Sequence, residues 1–306
     1  MKKAFIQLHV AVFLAGFTAI LGKLIALNEG LLVWYRMMIT AITLGLILYF
    51  TKELEKLSLR NSFKLFGVGA IVGVHWIAFY GSIKYSNVSV ALTCFSAIGF
   101  FTAFLEPLFM RRRIDVAEIF IGVLAIAGIY LIFDFYPEYK LGILFGVMAA
   151  LLASIFPIFN KILLKEFSAK TVTLYEMSGG VVAVTFMIPL YLYYFPADYY
   201  LPTAKDWLWL LVLAWLCTVF TFILALNALK KISPFTANLA YNLEPVYGIL
   251  LAFIIFKENK YLSAGFYYGL ALILLAVVLQ MCRVIVKAKR DKKTEKIEAE
   301  SKILNT

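Results

Sequence analysis

The sequence predicts an all-α integral membrane protein with ten transmembrane helices. Of its 306 residues, 63% are hydrophobic and only 15% are charged, and the apolar residues are gathered in blocks about twenty residues long. A hydrocarbon core of ~30 Å requires about 20 apolar residues of helix. Only helices and closed barrels can cross lipid, and continuous apolar blocks without strict alternation favour helices.

The ten predicted spans follow one another with short connections, which leaves no room for a soluble domain. The first follows Met1, Lys2 and Lys3, as in a signal peptide, but its apolar run continues to Leu27. That length favours a retained helix. The predicted spans are residues 6–27, 31–50, 64–83, 88–110, 116–133, 141–160, 172–195, 207–228, 234–256 and 263–282.

The basic residues alternate between the two sides of the predicted membrane. A cytoplasmic N-terminus places 22 of the 29 Lys and Arg residues on the cytoplasmic side and 6 on the other, with Arg36 inside a span. Because cytoplasmic loops carry the excess of basic residues, both termini are predicted to be cytoplasmic. The net charge of +11 therefore reflects topology and a basic tail near anionic headgroups, and it predicts no nucleic-acid partner.

An internal repeat divides the chain into two halves. Residues 88–114 align with residues 234–260, and Tyr35-Arg36-Met37 aligns with Tyr175-Glu176-Met177. We interpret residues 1–137 and 138–283 as two five-helix repeats, followed by a tail of residues 284–306. Because five is an odd number, the second repeat is predicted to be inverted relative to the first.

These features resemble the EamA-type transporters of the drug/metabolite transporter superfamily over nearly the whole chain. The similar motifs are VWYRM around Arg36 and the run ALKKISPFTANLAYNLEPVYGILLAFIIFKE, which contains Pro245 and Glu258. The first half departs from the family pattern, with Gly99 in place of the usual proline and Arg112 at the repeat position of Glu258. The resemblance implies a carrier of small metabolites in the cytoplasmic (inner) membrane of a bacterium, often an exporter of amino acids or related compounds.

One predicted helix carries polar residues at midplane depth. Glu244 lies thirteen residues from Lys231 and from Lys257. Because polar side chains in a span normally face a cavity or the bundle interior, we expect this face to line a cavity; alternatively, the asparagines only tie helices together. Pro245 lacks an N–H and predicts a kink. The polar or small face comprises Asn238, Tyr241, Asn242, Glu244, Pro245 and Gly248.

The third predicted helix offers a second wall. Gly69, Gly73, Trp76 and Tyr80 recur at spacings of 4, 3 and 4, with His75 beside Trp76. The same stripe is also consistent with ordinary helix packing. His75 titrates near neutral pH in its free state, so it is a candidate for proton coupling together with Glu244; a role as a hydrogen-bonding residue stays open.

Arg36 and Glu176 occupy matching repeat positions, which suggests an ion pair between the halves. Inversion argues against it, because the two backbones should differ by ~12 Å in depth. Arg36 is therefore expected to bind a substrate carboxylate, to anchor the outer gate, or to snorkel or make a structural hydrogen bond.

Two rival functional classes fit the sequence less well. An enzyme would need a nucleophile or a metal cluster, but the chain has two histidines and no HExxH or GxSxG motif. Its three cysteines show no spacing typical of disulfides or metals, so no metal and no cofactor are predicted. A receptor or scaffold would need larger loops. We therefore expect a transporter working by alternating access, with a small-molecule solute and candidate protons as its partners in the bilayer; the oligomeric state stays open.

Overall fold

The computed structural model of the protein describes residues 2–110, 116–221, 224–225, 228, 243–279, 281–283 and 286. Throughout this part of the chain the regular elements are helical. They are α1 Lys2–Leu24, α2 Glu29–Phe50, α3 Leu59–Tyr85, α4 Val88–Phe95, α5 Ile98–Met110, α6 Val116–Phe135, α7 Lys140–Leu163, α8 Ala169–Tyr194, α9 Ala204–Leu211, a π-helix Val212–Phe220, α10 Glu244–Phe256 and α11 Ala264–Arg283, with 3₁₀ turns at Pro137–Tyr139 and Glu258–Lys260.

Seven helical segments of the described chain are long and apolar enough to cross a membrane. They coincide with predicted spans one to four, six, seven and ten. The fifth and ninth predicted spans contain shorter apolar helices, Ile119–Asp134 and Glu244–Phe256. The eighth corresponds to α9 and the π-helix. The all-helical membrane class is therefore confirmed, and the number of ten helices stays a prediction.

Short polar residues between the apolar blocks determine where several helices begin. Asn28 accepts a hydrogen bond from the Gly30 amide at the start of α2, and Asn87 accepts one from Val90 at the start of α4. At α9, Thr203 and Asp206 form a reciprocal capping box. Each cap satisfies an amide that the first helical turn leaves without a partner.

The fourth predicted span is not one uninterrupted helix. The backbone leaves helical geometry between Phe95 and Ile98, which divides the span into α4 and α5. Ser96 donates its hydroxyl proton to the Leu92 carbonyl. Such a side-chain bond competes with the helical ladder and often bends a helix, which explains the interruption near the centre of the bundle.

Close helix packing depends on glycine at several crossings. A Cβ at Gly69 of α3 would lie 2.0 Å from the Glu176 carbonyl oxygen of α8, and one at Gly128 of α6 would lie 2.6 Å from the Gly269 carbonyl oxygen of α11. Only a residue without a side chain fits such distances. Gly69 and Gly73 therefore serve the packing of α3 on α8, as in the alternative interpretation of their stripe, and do not line a cavity.

The connections of the bundle gather at two opposite ends. At the Glu258 end, Lys23 contacts Glu258, the Ala26 amide donates to Asp206, and Asn28 donates to the Phe195 carbonyl. At the Lys170 end, Lys170 contacts Glu53, and Tyr175 donates to the Glu55 carbonyl. This alternation is what a chain that crosses a membrane repeatedly requires.

Candidate functional site in the bundle interior

A cavity of about 210 Å³ lies inside the bundle. It is bounded by α1, α2, α3, α4, the π-helix and α10. Its polar lining consists of Thr18, Arg36, His75, Cys217, Thr218, Thr221 and Glu244, and its aromatic lining of Trp76, Phe79 and Phe95. Four residues predicted from the sequence are thus brought together: Arg36, His75, Trp76 and Glu244.

Arg36 is held rigidly at one wall of the cavity, with only 4% of its surface exposed. Its Nη1 donates to the Tyr80 hydroxyl at 2.6 Å, and its Nε donates to Thr218 Oγ1 at 3.1 Å. The guanidinium carbon lies 3.7 Å from the centre of the Trp76 ring, a cation–π contact. All these partners are neutral. Arg36 is therefore a fixed positive charge whose remaining donors can face a ligand.

Tyr80 differs from its predicted role. It was expected to line the cavity, but it is fully buried, and it lies behind Arg36 as a hydrogen-bond partner. Its ring fills the space over Gly22 of α1, where an added Cβ would come within 2.4 Å of Tyr80 Cδ1. The helical spacing predicted that Tyr80 lies near the site. It could not distinguish a residue that lines the cavity from one that holds a lining residue such as Arg36.

His75 is buried at a second wall, where its ring packs between Phe95 and Phe156 with centroid distances of 5.6 and 5.5 Å. Its Nδ1 lies 2.9 Å from the Ala149 carbonyl oxygen. A carbonyl can only accept a hydrogen bond, so Nδ1 carries a proton and Nε2 is the atom that remains for the cavity. The structural hydrogen bond considered for His75 is present, and its role in proton coupling stays a prediction.

Glu244 is the first residue of α10 and contributes the carboxyl group of the cavity. Among the described residues its carboxylate has no hydrogen-bond or ion-pair partner, although Arg36 lines the same cavity. Pro245 follows in the first turn of α10, where its missing N–H costs nothing. The predicted kink would involve Tyr241, which lies outside the described residues, as do Asn238 and Asn242.

The threonines of the cavity were not predicted from the sequence. In the π-helix Thr218 Oγ1 donates to the Leu213 carbonyl and Thr221 Oγ1, just after it, donates to the Leu216 carbonyl, each at 2.9 Å. Both bonds follow the i to i−5 register of a π-helix, a geometry often found at functional sites. Only the grouping of Cys217, Thr218 and Thr221 within an apolar run could have indicated them.

Membrane-length helices that enclose a small cavity lined by polar and aromatic side chains define a polytopic membrane protein with an internal cavity. The model of the EamA-like transporter family matches this chain twice, over residues 2–134 and 140–282. The chain belongs to this family, and the resemblance inferred from its motifs is confirmed.

Individual relatives agree with this assignment. An uncharacterized transporter of Bacillus subtilis, YetK, is 23% identical over 273 residues, which are 83% of this chain and 80% of that protein. An uncharacterized transporter of Archaeoglobus fulgidus is 26% identical over 170 residues, covering 56% and 58% of the two chains. A crystal structure with 14% identity superposes with a TM-score of 0.60, covering 90% of this chain and 96% of the other. This structural likeness shows the fold alone.

Proposed function

We propose that the protein is a secondary transporter that carries small metabolites, such as amino acids or related compounds, across the cytoplasmic membrane by alternating access. Export is the proposed direction, as the family resemblance implies. The observation that carries this proposal is a cavity that both Arg36 and Glu244 line without a direct ion pair between them.

The charges of the cavity fit a zwitterionic solute. A buried charge is costly unless it is paired. A solute carboxylate can bind the free donors of Arg36 in a bidentate manner, while a solute ammonium group can bind Glu244. The volume of about 210 Å³ is below the ~300–1,000 Å³ typical of drug-sized sites. It therefore favours a small solute, and Trp76, Phe79 and Phe95 supply apolar contacts.

The proposed architecture is ten helices in two inverted repeats, residues 1–137 and 138–283, with residues 284–306 as a tail. Two separate family matches support this division. A reciprocal contact supports a two-fold relation: Gly128 approaches Gly269 and Ile273, while Gly269 approaches Gly128 and Ile132. Such a reciprocal crossing of α6 and α11 fits two repeats related by a pseudo-two-fold axis.

Both termini are proposed to lie in the cytoplasm, with the Lys170 end of the bundle on that side. The alternation of connections between the two ends supports this orientation, since the predicted cytoplasmic segments carry more basic residues. Proton coupling through Glu244 or His75 is part of the proposal. The alternatives are an uncoupled facilitator or exchanger of the same fold and, more distantly, a non-transporting receptor or scaffold.

Uptake into proteoliposomes tests the proposal. We would supply labelled amino acids and their uncharged or singly charged analogues, with and without a pH gradient, to the wild type and to Glu244→Gln. We expect a zwitterion to accumulate with the gradient, and the Gln variant to lose accumulation while still exchanging solute. Glu138→Gln, which alters an exposed carboxylate in a connection, should behave as the wild type.

The outcomes separate the alternatives. Uptake that is independent of the gradient in the wild type identifies an uncoupled facilitator. Equal accumulation by the wild type and Glu244→Gln makes Glu244 structural. A folded protein that moves none of the solutes, in either direction, contradicts the transporter proposal for this class of compound.

A further inference from the structure

Glu176 is a buried carboxylate that lies outside the cavity. Glu176 of α8 is only 3% exposed, and its Oε2 accepts a hydrogen bond from Asn160 Nδ2 of α7 at 3.4 Å. The other oxygens of this pair, Glu176 Oε1 and Asn160 Oδ1, are buried and have no hydrogen-bond partner among the described residues. Buried polar atoms are almost always paired, so two orphans on one pair of side chains require an explanation.

The two unpaired oxygens can both only accept a hydrogen bond. An ionised carboxylate offers only acceptors, and the oxygen of an amide is also only an acceptor. A proton on Glu176 Oε1 converts one of them into a donor. The neutral carboxylic acid and the carboxamide can then form a cyclic pair, in which each group donates once and accepts once. If the amide N and O of Asn160 are exchanged, the amide oxygen faces Glu176 Oε2. Glu176 must then also carry a proton, because two acceptor oxygens would otherwise face each other.

The described side chains around Glu176 offer no compensating positive charge. Among the described side chains no cation lies within ion-pair distance of Glu176. Lys64 of α3 is exposed, Lys170 of α8 is paired with Glu53, and Arg36 of α2 is held at the cavity. An ionised carboxylate that is buried without a partner is strongly disfavoured.

We propose that Glu176 and Asn160 form a proton-binding site, separate from the cavity, in which Glu176 is a neutral carboxylic acid in this conformation. The site lies between α7 and α8, where Gly69 brings α3 against the backbone of Glu176. A change in the packing of these helices would expose the acid to water and release its proton. Within the proposed transporter, which this role presupposes, the pair carries a proton in addition to the one assigned to Glu244 or His75; the protonation itself does not depend on transport.

Infrared difference spectroscopy tests the site directly. A protonated carboxylic acid has a carbonyl stretching band that a carboxylate lacks. We expect the reconstituted wild type at neutral pH to show a band that is absent in Glu176→Gln and retained in Glu244→Gln. In Asn160→Leu, where the acid loses its amide partner, the band should shift to higher frequency. A wild-type band that survives unchanged in Glu176→Gln, or no such band at all, overturns the proposal.

A comparison of melting temperatures tests the proposal even if one of the variants folds poorly. A Gln side chain both donates and accepts, as a protonated Glu does, so Glu176→Gln should melt close to the wild-type temperature, whereas Glu176→Ala should melt clearly lower. A Gln variant as unstable as the Ala variant contradicts a neutral acid. If the band is present but no solute is transported, the proton site is supported and the proposed function is contradicted. If gradient-driven transport occurs without the band, the proposed function is supported and the proton site is contradicted.

Discussion

The two ends of the bundle are held together by different kinds of contact. At the Glu258 end, the buried Glu258 carboxylate of the second half accepts hydrogen bonds from Lys23 at 2.7 Å and from the amide and hydroxyl of Ser89 at 2.8 and 2.6 Å. At the Lys170 end, the described ion pair joins Lys170 and Glu53, whose side chains are 44% and 48% exposed.

This difference indicates at which end of the bundle stronger contacts must break before the cavity can open toward that end. One carboxylate at the Glu258 end ties α1, α4 and the segment after α10 together, and all three elements border or adjoin the cavity. Surface ion pairs such as the one at the Lys170 end contribute little. We infer that opening toward the Glu258 end requires breaking buried, charge-assisted bonds, while movement at the Lys170 end meets weaker described contacts.

The largest effect is expected for Glu258→Ala. Removing the buried Glu258 carboxylate leaves the Ser89 amide and the 37% exposed Lys23 without their acceptor, and we expect a loss of about 3 kcal/mol in unfolding free energy. The matched control, Glu53→Ala at the Lys170 end, should cost less than about 1 kcal/mol. Chemical unfolding in lipid or detergent measures both. Equal losses would show that the two ends do not differ as described.

A smaller effect is expected at the α3–α8 seam toward the Lys170 end. In Gly69→Ala the new methyl group would meet the Glu176 carbonyl oxygen at 2.0 Å, so the helices must move apart, at a cost of about 2 kcal/mol. At Gly67, two residues away, a Cβ meets nothing within 4 Å. Gly67→Ala should therefore be neutral or stabilising by up to about 1 kcal/mol. Comparable melting temperatures for the two variants would rule out tight packing at this seam.

The smallest effect concerns acid sensitivity at the Glu258 end. Burial opposes ionisation of Asp206, but hydrogen bonds from Thr203, Tyr199 and the Ala26 amide outweigh it and hold the pKa of this carboxyl below its usual value. A carboxyl with a lowered folded-state pKa contributes stability at neutral pH that is lost as the pH falls through that pKa.

We expect the melting temperature of the wild type to fall on acidification and that of Asp206→Asn to fall less. Asp198→Asn, which alters an exposed neighbour, is the control and should follow the wild type. If Asp206→Asn has the same acid slope as the wild type, Asp206 does not link the connection after α1 to α9 in the way described.

The sequence predicted the helical membrane class and several residues of the cavity because both depend on local signals. The length of each apolar block matches the thickness of the hydrocarbon core. An ionisable residue at midplane depth, such as Glu244, indicates a position in the bundle interior. The break at Ser96 and the π-helix were missed, since the run VLAWLCTVF has no residue signature that distinguishes an i−5 from an i−4 register.

The hydrogen-bond partners of these side chains also could not be predicted from the sequence. The predicted depths of Arg36 and Glu176 excluded an ion pair between them, but the sequence did not identify Thr218 as the partner of Arg36 or Asn160 as that of Glu176. Such contacts join helices that are distant in the chain. They depend on how the helices rotate and cross, which the spacing of residues within one span does not reveal.

The most direct measurement of the central claim, that the Arg36–Glu244 cavity binds the solute, is the labelling rate of Cys217. This cysteine lines the cavity, and Cys94 is fully buried; the exposed Cys282 is changed to Ser. The rate of reaction with a small thiol reagent is measured in proteoliposomes at increasing concentrations of a solute found by uptake. The account predicts saturable protection that weakens in Arg36→Lys. A transported solute that leaves the labelling rate unchanged would contradict it.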